Sequence, residues 1–137
     1  MQPWYQRFDT LARKKSIQIL LAIIAIVSFP FFIRGWIYMV RQSNTWDVQQ
    51  KINAAFREFQ NDPFGMQSKE KYLARLKAID NPYAPDDLKK ALADYIFAIE
   101  GSIEAMKTGT DSQPFEYRKA EAEQRIIDIE KRYNEYR

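Results

Sequence analysis

A chain of 137 residues without a single Cys or His lacks thiolate nucleophiles, disulfides, Cys/His zinc sites, imidazole haem ligands and the usual general base. The formal net charge is +3 and the mean hydropathy −0.52, so the chain as a whole reads as polar and weakly basic. Neither property is evenly distributed along the chain, and the unevenness carries most of what the sequence says.

Residues 1–15 form a basic amphipathic segment. Trp4, Phe8 and Leu11 recur at helical spacing, with Arg7 and Lys14 on the other side. A helix of this kind rests in the lipid headgroup region, its aromatic face toward the acyl chains.

Residues 16–40 are expected to form a transmembrane helix. Residues 17–33 read IQILLAIIAIVSFPFFI, with no ionisable side chain, and Trp36, Ile37, Tyr38, Met39 and Val40 prolong the apolar run past Arg34. As a helix the stretch rises about 36 Å, enough for a hydrocarbon core that needs about 20 residues. Arg34 falls near the far interface, where its stem snorkels, and Trp36 and Tyr38 supply the aromatic belt there. The run is longer than the apolar region of a signal peptide, and the bulky PFFIRGWIY after it lacks a small-x-small cleavage pair, so an uncleaved anchor is expected. Near the span, Arg7, Arg13, Lys14 and Lys15 precede it, whereas Arg34, Arg41 and Lys51 accompany or follow it. The tight Arg13-Lys14-Lys15 cluster favours a cytoplasmic N-terminus with the C-terminal domain periplasmic or in an equivalent space. Ala22, Ala25 and Ser28 leave only a thin small-residue stripe, and nothing in the span resembles a proton relay.

Residues 41–137 are expected to fold as a helical soluble domain, a small bundle of about four helices. Ser43 or Thr45 is placed to cap the first, whose stripe is Val48, Ile52, Ala55, Phe56 and Phe59. Asn61-Asp62-Pro63-Phe64-Gly65 ends it. Ser68 is placed to cap a second helix with the stripe Tyr72, Leu73, Leu76 and Ile79, stopped at Asp80-Asn81-Pro82. Pro85 suits the first turn of a third, with Asp86 and Asp87 at its positive dipole end. That stripe runs Leu88, Leu92, Tyr95, Ile99, Ile103 and Met106, and Gly101 weakens the helix without ending it. After the polar stretch 108–113, Pro114 opens the last helix.

This last helix carries a short heptad seam. Phe115, Lys119, Ala122, Ile126, Ile129, Tyr133 and Tyr136 follow spacings of four and three, with Lys119 the one polar intrusion. Such a seam either packs on the domain's own helices or meets another chain, and Phe115, Ala122, Ile126, Ile129, Tyr133 and Tyr136 are the candidate partner-binding residues, self-association included.

Chemistry is scarce in the domain. Of 21 Lys and Arg, five precede residue 41, and of 18 acids only Asp9 does, so residues 41–137 are one charge negative. Nucleic-acid binding shows a basic excess on one element, and there is none. Asp86-Asp87 is explained by the helix N-terminus, and Glu100 and Glu104 share a solvated face. Neither faces a second carboxylate across a cleft, as acid–base hydrolysis requires. The four Gly include no phosphate-cradling loop.

The expectation is therefore an all-α chain without catalytic residues, cofactor or metal. It acts as a membrane-anchored structural or accessory subunit of a larger membrane protein assembly. Its partners are other membrane subunits and the bilayer. The alternative is a membrane-tethered helical module that binds a peptide or apolar small ligand, in a concavity lined by Phe56, Phe59, Tyr72, Tyr95 and Phe97.

Overall fold

The computed structural model describes residues 15–134 and is all-α, without a strand among them. Four helices follow in order: α1 Lys15–Phe59, α2 Met66–Lys77, α3 Asp86–Thr108 and α4 Gln113–Asn134. The chain divides into two compact units, residues 1–39 and residues 40–137.

In the first unit the described residues belong to α1. Among the described residues one helix is long and apolar enough to cross a membrane, and it is this one; none of its apolar window is buried. Phe31, Phe32 and Trp36 are more than two-thirds exposed, and the flanking aliphatics are exposed as well. Pro30 lies inside the helix, and Ser28 donates to the Ala25 carbonyl at 3.2 Å.

The second unit is a bundle built from the C-terminal part of α1 with α2, α3 and α4. Its first helix does not begin at a cap on Ser43 or Thr45, because both lie inside α1. The reason is local. Thr45 donates to the Arg41 carbonyl and Asn44 to the Val40 carbonyl, each at 2.7 Å, so their polar groups bond back along the helix. No Gly or Pro stands nearby to interrupt it. The second helix likewise starts earlier than Ser68, with Gly65 as its N-cap. Asp62 organises that turn by accepting from the Gly65 amide at 3.2 Å, and a Cβ at 65 would collide with its carboxylate.

The third helix has its acids where the dipole favours them and ends at Gly109, whose φ of 70° is the left-handed conformation that glycine adopts without strain. Its Ala105 carbonyl accepts from Thr110 N–H at 2.9 Å, closing the helix end. The fourth helix starts where Asp111 accepts from the Gln113 amide and the Ser112 carbonyl accepts from Phe115 and Glu116.

α3 lies at the centre of the bundle. Its expected stripe is buried at Leu88, Leu92, Tyr95, Ile99 and Ile103, and a second row of Ala91, Ala98, Ser102 and Ala105 is buried as well. Two buried rows mean two neighbours. The small row allows the close antiparallel approach of α4, marked by Gly101 against Phe115, Asp94 with Arg125 and Asp87 with Arg132. The remaining core comes from Val48 and Ala55 of α1, Tyr72 and Leu76 of α2, and Ala122, Ile126 and Ile129 of α4.

Ties along the surface fix the register. Gln42 donates to the Tyr133 carbonyl at 3.0 Å and Gln49 to Glu130 at 3.1 Å, so the part of α1 after residue 40 runs antiparallel to α4. Glu58 accepts from Lys71 at 2.8 Å and Arg75 at 2.6 Å, joining α1 to α2. Asn81 donates to both Asn44 and Asp47, holding the α2–α3 connection on α1.

Candidate functional site: an aromatic groove in the bundle

The antiparallel pair formed by α1 and α4 is closed at one end and open at the other. Gln42 and Gln49 reach α4 near its C-terminus, but seven to ten residues later Phe56 and Phe59 no longer do. A groove of about 450 Å³ lies there instead, within the size range of ligand sites. The end of α1, the 60–65 turn and α2 make one wall, α3 the floor and the first half of α4 the other wall.

Three rings furnish the first wall. Phe59 stacks on Tyr72 with centroids 4.9 Å apart, and Phe56 meets both at 6.3 Å, edge-on to Tyr72. Phe64 of the turn lines the groove and is 91% exposed. Phe64 stands in water on the groove that the other rings also line, so the groove presents an exposed aromatic surface.

At the floor the Tyr72 and Tyr95 hydroxyls lie 3.0 Å apart and are both buried. Burial pushes both phenols above their ordinary value, and the Glu123 carboxylate pushes in the same direction. They are therefore neutral phenols at physiological pH. A pair of phenols sharing one hydrogen bond uses one hydroxyl hydrogen of its two.

Glu116, Lys119 and Glu123 stand on the α4 wall and Lys69 on the α2 wall. Glu116 is engaged, accepting from Ser102 Oγ at 2.6 Å and pairing with Lys119 at 3.6 Å. Glu123 has no hydrogen bond or ion pair among the described residues. Among the described residues the Lys69 ammonium donates to the Met106 sulfur, at 3.4 Å, a weak acceptor, and has no ion pair.

Four of the five residues expected to line a concavity do so: Phe56, Phe59, Tyr72 and Tyr95. Phe97 does not line it and is 60% exposed. Two residues from Tyr95 on a helix is a rotation of about 200°, so the two rings cannot share a face. Of the wall charges, Lys69 and Glu116 carry no signal in the sequence and Glu123 reads there only as half of a solvated Glu121/Glu123 pair, since surface charges at helical spacing look alike until a groove places them together.

The heptad seam is used inside the chain. Ala122, Ile126 and Ile129 are buried in the bundle's own core, so no partner reaches them without opening it. Phe115 is half-buried against Gly101, and Tyr133 packs at the margin of the core. Tyr136 lies outside the described residues, as do Trp4, Phe8 and Leu11. On α1, Arg34 and Trp36 are exposed and Tyr38 is half-buried.

The acidic pairs are largely engaged with cations: Asp86 with Lys89, Asp87 with Arg132, and Glu100 with Lys77 at 2.7 Å. Lys107 pairs with Glu70. No family model matches the chain, and neither a curated protein nor a solved structure shows significant similarity to it.

Proposed function

We propose that this is a single-pass membrane protein, its N-terminus cytoplasmic, whose helical domain is a structural or accessory subunit of a larger membrane assembly and docks its partner in the aromatic groove. The observation that carries the reading is the groove itself: an open aromatic surface on a bundle whose heptad seam is already occupied. Interface cores are enriched in Tyr and Phe with few charges, which describes the Phe56–Phe59–Tyr72 wall. The unburied apolar stretch of α1 supports the anchor, and the Arg13-Lys14-Lys15 cluster supports the orientation.

A photo-crosslinking residue at position 64 tests the docking in intact cells. The expected product is one discrete adduct that also co-purifies in stoichiometric amount in mild detergent and is lost on Phe56→Asp. Diffuse or absent adducts, with a monomer after purification, would refute it. Protease added outside spheroplasts should digest the chain beyond about residue 45; a protected domain would reverse the orientation.

The size of the groove favours one other reading, an apolar small ligand held between the helices. Native mass spectrometry of the detergent-released chain separates the two. A small bound mass that disappears on Phe56→Asp supports the ligand, whereas a second polypeptide supports the subunit.

A further inference from the structure

The two groove charges without an ion pair among the described residues have opposite signs and stand on different walls. Glu123 belongs to α4 and Lys69 to α2, and α3 runs between those helices. Other charges near the groove are paired across helices: Glu58 takes both Lys71 and Arg75, and Glu70 takes Lys107. The rim thus offers an acceptor on one side and a donor on the other, with rings between them. Beneath, the Tyr72–Tyr95 pair is buried and closed on itself.

An acyl chain or an apolar small molecule matches the rings and leaves at least one rim charge unanswered. A helix matches both the rings and the rim. Its apolar stripe covers the rings, and its two edges carry side chains to both rims.

We infer that the groove, taken as the docking surface proposed above, receives an amphipathic helical segment of a partner protein, basic along the edge that meets Glu123 and acidic along the edge that meets Lys69. The inference rests on the docking reading and adds to it the charge pattern of the occupant. Reversing the direction of such a helix exchanges its edges, so the pattern selects both the segment and its polarity in the groove.

Three designed helical peptides with one shared Leu/Phe stripe test this against the full-length chain in nanodiscs, read by fluorescence anisotropy. One carries Lys on one edge and Glu on the other, the second Lys on both, the third Glu on both. The wild-type chain should prefer the mixed peptide by about fivefold, the size of one exposed ion pair gained together with one like-charge contact avoided. Glu123→Lys should move the preference to the doubly acidic peptide, and Lys69→Glu to the doubly basic one. All three should weaken on Phe64→Asp, a change at an exposed position that leaves the bundle folded.

Preferences unmoved by either charge reversal, with Phe64→Asp still weakening every peptide, would overturn the charge pattern and leave docking intact. Indifference to Phe64→Asp, or no binding at all, would overturn peptide docking in this groove. A co-purifying lipid mass removed by Phe64→Asp would replace the peptide with an acyl chain.

Discussion

The ring of Phe115 packs directly over the bare Cα of Gly101, and a Cβ at position 101 would overlap its Cε1 and Cδ1 atoms. This contact sets how closely α4 approaches α3 at the end of the bundle where the groove opens. It also reverses the ordinary expectation for a glycine within a helix. Gly101→Ala gains about 1 kcal/mol of helix propensity but forces two packed helices apart, and overpacking costs about 1–3 kcal/mol. The expected net result is a loss of stability. In a double-mutant cycle, Phe115→Leu should recover part of the loss in the Gly101→Ala background while destabilising the parent chain. Thermal melting followed by circular dichroism in detergent is the measurement; additive effects would show that the ring and residue 101 do not meet.

A second prediction concerns the seam of α4. Ile126 and Ile129 are both 6% exposed and belong to the chain's own core. Replacing either with Ala should cost about 2–5 kcal/mol, from lost burial and the cavity left behind. Ile129→Asp places a charge there with no partner and should unfold the bundle. A folded Ile129→Asp chain that merely lost an associated protein would return the seam to an intermolecular role.

Gly109 provides a third. With φ at 70°, an alanine there accepts the left-handed conformation at about 1 kcal/mol or more, whereas asparagine tolerates it better. The expected order of melting temperatures is Gly109, then Asn, then Ala. Equal values for all three would mean that the C-terminal turn of α3 rearranges freely.

Much of this architecture is legible in the sequence because its signals are local. Pro82, Pro85, Gly109 and Pro114 bracket helices by backbone geometry alone, and the stripes of α2 and α3 name their buried residues through periodicity. Ser43, Thr45 and Ser68 show the limit of local signals. A hydroxyl residue stabilises a helix start only where the helix must start, and inside a run without Gly or Pro it bonds backwards instead. The small row Ala91, Ala98 and Ala105 recurs every seven residues and would have announced a second neighbour for α3. It was eclipsed by the larger side chains of the main stripe. The heptad spacing of α4 was legible as a seam, but spacing alone does not say whose surface the seam meets. The groove needed tertiary placement, since its wall charges come from two helices and its rings from three.

The last prediction is a pH dependence centred on Glu130. Burial raises its pKa above the ordinary glutamate value of 4.5, and its one hydrogen-bond partner, the neutral Gln49 amide, brings no positive charge to offset the effect. A carboxyl group whose folded-state pKa is raised binds its proton more tightly in the folded chain than in the unfolded one. Its contribution is therefore fully present below the unfolded pKa and is lost as pH rises through the folded value. Asp47 acts in the opposite sense. The hydrogen bond from Lys51, followed by that from Asn81, lowers its pKa, so its contribution is present above the unfolded value and disappears as pH falls through the lower folded one. The two windows lie on either side of the ordinary carboxylate range and can be read separately. Glu130→Gln keeps the shape and retains an oxygen to accept from Gln49, while removing the charge. Its melting temperature should exceed that of the parent chain at neutral pH, and the difference should shrink as pH falls into the range where Glu130 is protonated. Asp47→Asn should lower the melting temperature at neutral pH and converge with the parent below its folded pKa. Melting curves for the parent chain and both variants across pH 3–8 check this, and a Glu130→Gln curve that merely parallels the parent would show that the carboxylate is solvated.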